Sequence, residues 1–132
     1  FQNTRETLIL TDVLNHGCIV SAVVNAGTRS GKVFSHSPRV RVKAYRHCDA
    51  EDLQRKLYRY ARPDDRILVV SDAVFSMDGD IAPLPDMIDV LQNYPGSVLV
   101  MDEAHASGAL GATGRGIYEY FGLTPQDAIA RG

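Results

Sequence analysis

The chain has 132 residues, of which 45% are hydrophobic and 23% charged, and its formal net charge is −2 at pH 7. These values are typical of a globular domain with one core, so an intrinsically disordered chain is excluded. A nearly neutral charge also excludes the strong basic field by which many proteins bind nucleic acid or anionic lipid. No apolar run approaches the roughly 18 residues of a membrane helix, and residues 1–5 do not have the pattern of a secretory leader.

The two cysteines, Cys18 and Cys48, are far apart and form no Cys-x-x-Cys pair. This usage fits a reducing cytoplasm, in which we expect both thiols to be small buried hydrophobic groups. Together with His16, His47 and His105 they do not have the short ligand spacing of structural zinc sites. The sequence therefore predicts no metal site.

The first third of the chain predicts two strands separated by a segment of ambiguous structure. Residues 8–11 are a short apolar strand, and residues 12–16 follow it as a polar turn. Residues 18–26 are a run of small and apolar residues that fits a helix, although its valine content also suits a strand. Residues 27–38 are rich in Ser, Arg and Gly and predict a surface loop, and residues 40–45 alternate as a half-exposed strand does.

The middle of the chain predicts a helix that leads into a buried strand. Asp49 is a suitable N-cap, and Asp52 adds a carboxylate to the first turn. Apolar residues recur at helical spacing, and Pro63 ends the helix; these residues are Leu53, Leu57, Tyr60 and Ala61. Residues 66–71 then form an apolar run that is typical of a buried strand.

The pattern of strand and helix is repeated once more. Residues 75–80 contain an Asp-Gly turn signal, and the helix that follows Pro83 has apolar residues at 84, 87, 88 and 91. Residues 97–101 predict a further buried strand. Strands that alternate with amphipathic helices predict an α/β fold, a three-layer αβα arrangement around a mostly parallel sheet, with residues 1–132 in one domain.

Asp102, Glu103 and His105 come directly after the last of these strands. In parallel α/β sheets, ligands bind beyond the carboxyl ends of the strands, so this sequence predicts a binding site. The alternative is a solvated turn with ordinary polar residues. Helicases with the same Asp-Glu-Ala-His letters also need the phosphate-binding loop Gly-x-x-x-x-Gly-Lys-Ser/Thr, which residues 31–33 do not supply.

Four glycines follow His105 at positions 108, 111, 114 and 116. Their spacing differs from the dinucleotide-binding pattern Gly-x-Gly-x-x-Gly, so nicotinamide cofactors are weakly supported. We favour a loop whose glycines permit positive φ angles or close backbone approach.

Two blocks, residues 74–84 and residues 101–111 with Gly114-Arg115-Gly116, resemble the α-oxoamine synthases. These pyridoxal 5'-phosphate (PLP) enzymes have the aspartate aminotransferase fold and condense an amino acid with an acyl-CoA, with loss of CO₂. The family includes 8-amino-7-oxononanoate synthase and serine palmitoyltransferase, and its members work as homodimers. The resemblance extends over most of the chain, from residue 12 to residue 123.

The resemblance implies roles for four residues. Asp102 would pair with the pyridine nitrogen and keep the ring protonated, so that the ring acts as an electron sink. His105 would hydrogen-bond the phenolic oxygen of the ring, and Ser76 would contact the cofactor near that oxygen. His16 would stack on the ring and help to protonate or orient the substrate.

The departures from the family pattern lead to further expectations. The segment of residues 27–41 is about a dozen residues longer than the family leads us to expect. Its basic side chains suit either binding of a CoA phosphate or exposure on a solvated face, and we favour the solvated face. The family's Schiff-base lysine would follow residue 132 and its first glycine-rich loop would precede residue 1. We therefore expect part of a large domain that is catalytically inactive alone. An aminotransferase, disfavoured by His16, and a silent fragment or partner subunit are the alternatives.

Overall fold

The computed structural model describes residues 5–29 and 39–128 of the chain. Its elements follow in the order β1 (Thr7–Asp12), α1 (Gly17–Arg29), β2 (Val40–Tyr45), α2 (Ala50–Tyr60), β3 (Arg66–Asp72), α3 (Leu84–Leu91), β4 (Val98–Asp102), α4 (Ile117–Tyr120) and a 3₁₀ helix (Pro125–Ala128). The strands form one parallel sheet in the order β2-β1-β3-β4. None of the described helices is long and apolar enough to span a membrane.

Helices cover both faces of this sheet, as the alternation of strands and helices predicts. The larger core lies between one face and helices α2 and α3, and it contains Leu8, Leu10, Leu53, Leu57, Val69, Leu84 and Met87. The smaller core lies between the other face and α1, and it contains Ile9, Ile19, Val23 and Val70. Successive strand residues point to opposite faces, so β1 and β3 contribute to both cores. The predicted three-layer α/β fold is confirmed.

Residues 18–26, which fit either a helix or a strand, belong to helix α1. The residues that pack on the sheet are Ile19, Val23 and Ala26, and this spacing of three to four is the period of a helix. The helix runs on to Arg29, so the prediction of a loop from residue 27 is wrong for its first three positions. Residues 30–38 of that predicted loop lie outside the described ranges.

Strand β4 is present, but the prediction that it is buried is wrong. Val98 and Val100 are 54% and 43% exposed, because β4 is an edge strand of the described sheet and α1 packs on the opposite end. Leu99 and Met101 face the other way and pack against the larger core. An apolar run does not distinguish a strand that is covered on two faces from one that is covered on one.

The connection between β2 and α2 is held by two aspartates. Asp49 is the N-cap, and its carboxylate accepts a hydrogen bond of 2.7 Å from the backbone N–H of Asp52, as predicted. Asp52 in turn accepts one of 2.9 Å from the backbone N–H of Arg46. That backbone hydrogen bond is the main reason that the pKa of Asp52 is lowered. The chain between these residues, which carries His47 and Cys48, is thereby fixed at both ends.

Candidate functional site

Three of the four strands in the described sheet end in an aspartate: Asp12 in β1, Asp72 in β3 and Asp102 in β4. Because the strands are parallel, these three residues lie at one edge. Asp72 and Asp102 are direct register partners, and the backbone N–H of Ala73 donates a 2.8 Å hydrogen bond to the carbonyl of Asp102. The carboxyl edge of the sheet is therefore lined with acids.

Asp72 is buried at this edge and is bonded to the turn between β1 and α1. Its Oδ2 accepts a 2.7 Å hydrogen bond from the backbone N–H of His16. The amide of Asn15, also buried, accepts from the backbone N–H of Asp72 at 2.8 Å and donates to the Thr11 hydroxyl at 2.8 Å and the Val70 carbonyl at 2.9 Å. These contacts fix the main chain at His16 against β3.

Three residues of the predicted site affect the pKa of Asp72. Burial raises the pKa of Asp72 and the hydrogen bond from the backbone of His16 opposes that rise. The charge of Asp102 raises this pKa further, and the charges of His16 and His105 lower it. Charges affect a pKa strongly only at short range. With the hydrogen bond from the His16 backbone and the register pairing of Asp72 with Asp102, these charge effects put His16, Asp102 and His105 at the same edge of the sheet as Asp72.

Asp102 is half-buried, and its Oδ1 accepts a 2.9 Å hydrogen bond from the backbone N–H of Ala104. Within the two described ranges, its other oxygen accepts no hydrogen bond. A carboxylate with one oxygen anchored and one available is well prepared to accept a proton or an N–H group from a ligand.

The side chains of His16 and His105 are both exposed at the edge of the sheet. His16 precedes α1, and its Nδ1 lies 3.0 Å from the Sγ of Cys18 and accepts from the backbone N–H of Cys18 at 3.3 Å. Cys18 is itself exposed, so the prediction that it is buried is wrong. The first turn of an amphipathic helix carries it on the solvent side, because Ile19 and Val23 occupy the face toward the sheet.

Ser76 is exposed in the turn between β3 and α3. Phe75 and Asp80 close that turn with a backbone hydrogen bond of 2.9 Å, and Gly79 has a φ of 73°, in agreement with the predicted turn. Among the described residues the Ser76 hydroxyl makes no hydrogen bond. Its contact with a cofactor stays a prediction.

A second cluster at the same edge was not apparent from the sequence. Asp12 is buried and accepts hydrogen bonds of 2.8 Å from the backbone N–H groups of Leu14 and Cys48. The imidazole of His47 lies between two carboxylates, with Nδ1 3.1 Å from Asp12 and Nε2 2.8 Å from Asp80. Burial lowers the pKa of His47, but the hydrogen bonds with Asp80 and Asp12 outweigh it and raise the pKa above the ordinary value.

Cys48 belongs to this second cluster and is half-buried. Burial, followed by the charges of Asp12 and Asp80, raises the pKa of its thiol to about 12. Its Sγ lies 3.6 Å from Nε2 of His47. The ligand atoms of Asp12, His47 and Cys48 all lie within 4.8 Å of one another. The prediction of no metal considered spacing along the chain, and it could not include this long-range convergence.

The basic side chains of β2 make contacts with other residues of the fold. Arg41 pairs with Glu6 and Asp65 and donates a 2.8 Å hydrogen bond to the carbonyl of Tyr60. Lys43 lies over the ring of Tyr60, with its Nζ 4.5 Å from the centroid. These contacts favour a structural role over phosphate binding.

The glycine-rich loop after His105 has the structural role that we favoured. Gly116 has a φ of 94°, and a Cβ added there would lie 1.7 Å from Oε2 of Glu103. The backbone N–H of Gly108 bonds the carbonyl of Gly114 at 2.8 Å. The carboxylate of Glu119 closes the loop by accepting from the backbone N–H groups of Thr113 and Arg115, each at 3.0 Å.

Comparison with known protein families identifies the family of this chain. The family model for aminotransferase class I and II matches residues 4–130. The chain belongs to this family.

Among the curated members, 8-amino-7-oxononanoate synthase 1 of Bacillus velezensis is 42% identical over 120 residues, which are 91% of this chain and 27% of that protein. The 8-amino-7-oxononanoate synthase of Thermosipho melanesiensis is 41% identical over 119 residues, with coverage of 90% and 27%. The chain thus spans about a quarter of the length of these aminotransferase-family relatives.

Solved structures of the family agree with the described fold. A serine palmitoyltransferase from S. paucimobilis with a bound PLP–myriocin aldimine has a TM-score of 0.74 and 31% identity over 92% of this chain and 28% of that one. The Sphingomonas wittichii serine palmitoyltransferase has a TM-score of 0.72 and 30% identity, with coverage of 89% and 26%. The resemblance to the α-oxoamine synthases is confirmed.

Proposed function

We propose that this chain is part of the PLP-binding large domain of an α-oxoamine synthase. The reaction proposed for the whole protein is the condensation of an amino acid with an acyl-CoA, with decarboxylation. The observation that carries the proposal is at the carboxyl edge of the sheet, where Asp72 is the register partner of Asp102 and its carboxylate accepts a hydrogen bond from the backbone N–H of His16. The curated relatives of the chain include 8-amino-7-oxononanoate synthases. We further propose that the whole protein is a cytoplasmic homodimer.

Asp102 would hold the cofactor ring. PLP supplies an electron sink that stabilises negative charge at the α-carbon of a bound amino acid. The available oxygen of Asp102 would accept the N–H of the pyridinium ring, and its negative charge would keep that nitrogen protonated. The bond from Ala104 to the other oxygen would hold the carboxylate in place.

His16 and His105 would fix the ring at its face and at its edge. The imidazole of His16 would lie against the ring, and the bond between the His16 backbone N–H and Asp72 would fix the main chain that carries it. Its ring nitrogen would hold or move a proton beside the substrate. His105 and Ser76 would hydrogen-bond the phenolic oxygen.

We expect the isolated chain to be catalytically inactive, because neither of the two lysines in the described ranges suits a covalent bond to PLP. Lys43 is stacked on Tyr60, Lys56 lies in α2, and Lys32 is outside the described ranges. The check is to add PLP, reduce with borohydride and examine the peptides by mass spectrometry. A PLP adduct on any of these three lysines would contradict this expectation.

The experiment for the function is a CoA-release assay on the whole protein that contains this chain, with an amino acid and an acyl-CoA. Asp102→Ala should lower the rate by at least about 100-fold, a scale at which one electrostatic contact acts in catalysis. Asp64→Asn, an exposed change in the turn before β3, is the matched control and should leave the rate unchanged.

Two other results would replace the proposal. Amino transfer to a keto acid without CoA release would identify an aminotransferase, which the general family description permits. Absence of both activities in the folded whole protein would identify a silent partner subunit.

A further inference from the structure

The cluster at the ends of β1 and β2 has donor groups that suit a transition metal. Nε2 of His47 lies 3.6 Å from Sγ of Cys48 and 2.8 Å from Oδ2 of Asp80. Zinc bonds nitrogen and oxygen at about 2.0–2.2 Å and sulfur at about 2.3 Å, so neighbouring ligands of a tetrahedral site lie about 3.3–3.6 Å apart. The His47–Cys48 separation already has this value, and the oxygen of Asp80, an exposed turn residue, would move about 0.5 Å away from Nε2 to become a ligand.

We propose that His47, Cys48 and Asp80 bind a divalent ion of the zinc class. The site goes beyond the PLP proposal and does not depend on it, because none of the three ligands is assigned to the cofactor. A nitrogen, a sulfur and a carboxylate oxygen form a mixed donor set that zinc accepts, with the fourth position left for water.

Asp12 orients the histidine rather than binding the ion. Its two oxygens already accept from the backbone N–H groups of Leu14 and Cys48 and from Nδ1 of His47. A carboxylate on Nδ1 leaves Nε2 as the ligating nitrogen, which is the usual outer arrangement of zinc-bound histidines. Asp12 and His47 are 35 residues apart along the chain, so the spacing of residues in the sequence did not reveal their contact.

The backbone at Cys48 directs the thiol into the cluster. Cys48 is the only described non-glycine residue with a positive φ, at 49°. In this left-handed conformation its N–H points at Asp12 while its Sγ lies beside His47 and 3.8 Å from the carbonyl of Ile81. Such a conformation is costly for a residue with a side chain and is found where the surrounding structure imposes it.

An open groove gives the ion a route to this cluster. The groove has a volume of about 600 Å³ and is lined by His47, Cys48, Asp49, Ala50, Glu51, Gln54, Asp86, Asp89 and Val90. No lysine or arginine is among these lining residues, and Glu51, Asp86 and Asp89 are exposed acids. The groove therefore attracts cations.

The groups present account for the bonds and protons that change when the ion binds. Without metal, Nε2 of His47 is hydrogen-bonded to Asp80 and Cys48 is a thiol. When the ion binds, bonds form from the metal to Nε2, Sγ and the Asp80 oxygen, while the Nε2 and thiol protons pass to solvent. No oxidant or reductant takes part.

Cobalt(II) is the probe, because it takes zinc sites and a cobalt–thiolate bond gives a charge-transfer absorption band. Titration of the chain should produce that band at one equivalent. Cys48→Ser should abolish the band, and Cys18→Ser should retain it as the matched control with the other thiol. Asp12→Asn should keep the band but weaken affinity by about 10–100-fold, as loss of an outer-shell partner does.

A second measurement needs no substitution. Native mass spectrometry of the protein with added zinc should show one bound ion per chain. The proposal is overturned if no thiolate band forms, if the band persists in Cys48→Ser, or if no zinc ion is bound.

Discussion

The carboxylate of Asp72 accepts a 2.7 Å hydrogen bond from the backbone N–H of His16, 56 positions away along the chain. This bond joins the end of β3 to the turn before α1. It fixes the main chain of His16, from which the imidazole extends. Asp72 is also the register partner of Asp102 in the sheet. Asp72 is therefore the point at which the parts of the proposed PLP site are held together.

Asn15→Ala should destabilise the fold by about 1–3 kcal/mol. The substitution removes three hydrogen bonds at a buried position and leaves the backbone N–H of Asp72 and the Val70 carbonyl without this partner. Urea unfolding followed by circular dichroism measures the change. Asn93→Ala, an exposed asparagine after α3, should change the free energy of unfolding by no more than about 0.5 kcal/mol.

The stability contributed by Asp72 should fall as pH rises. Its pKa is raised above the ordinary 3.8 by burial, so the folded state holds the proton more tightly than the unfolded state does. The free energy of unfolding then decreases with pH from about 3.8 up to the raised pKa. Asp72→Asn cannot ionise, so its stability relative to the parent should improve across this window. A difference that stays constant with pH would contradict the assignment.

Asp52 should show the opposite dependence. Its pKa is lowered, first by the hydrogen bond from the backbone of Arg46. Its contribution is therefore present above pH 3.8 and is lost as pH falls through the lowered value. Asp52→Asn should destabilise at pH 7 and match the parent in strong acid, as unfolding curves at the two pH values would show. Glu51→Gln, an exposed neighbour in the same helical turn, should have a much smaller effect.

Gly116→Ala should destabilise the loop after β4 by at least about 1–3 kcal/mol. The residue has a φ of 94°, and the new Cβ would meet the carboxylate of Glu103 at 1.7 Å. Gly17→Ala is the matched control, because Gly17 has no positive φ and no atom within 4 Å of its added Cβ. Thermal unfolding should show a lower midpoint for the first variant and an unchanged or higher midpoint for the second.

The sequence predicted the order and type of the strands and of the capped helix α2, because turn residues and apolar periods are local signals. It left residues 18–26 open, because three valines among small residues suit both a helix and a strand. It also predicted that β4 is buried, although Val98 and Val100 are exposed. Which strand lies at an edge depends on neighbours that are distant in sequence.

The candidate site also contains residues that the sequence identified and residues that it did not. Asp102 and His105 were found because they follow a strand directly, and His16 because the blocks resemble a family with a histidine there. Asn15 and Asp72 were missed, since their hydrogen bond joins positions 57 residues apart. The signal available for Asp72 was an acid at the end of a predicted strand, the same signal that identified Asp102.

The most direct test of the central claim is a titration of the isotope-labelled chain with PLP, observed in ¹H–¹⁵N correlation spectra. We expect shifts confined to the carboxyl edge, in the amides of His16, Asp72 and residues 102–105, and we expect Asp102→Ala, but not Asp64→Asn, to abolish them. Shifts that arise elsewhere, or that are the same in Asp102→Ala, would contradict the claim that this edge binds the cofactor.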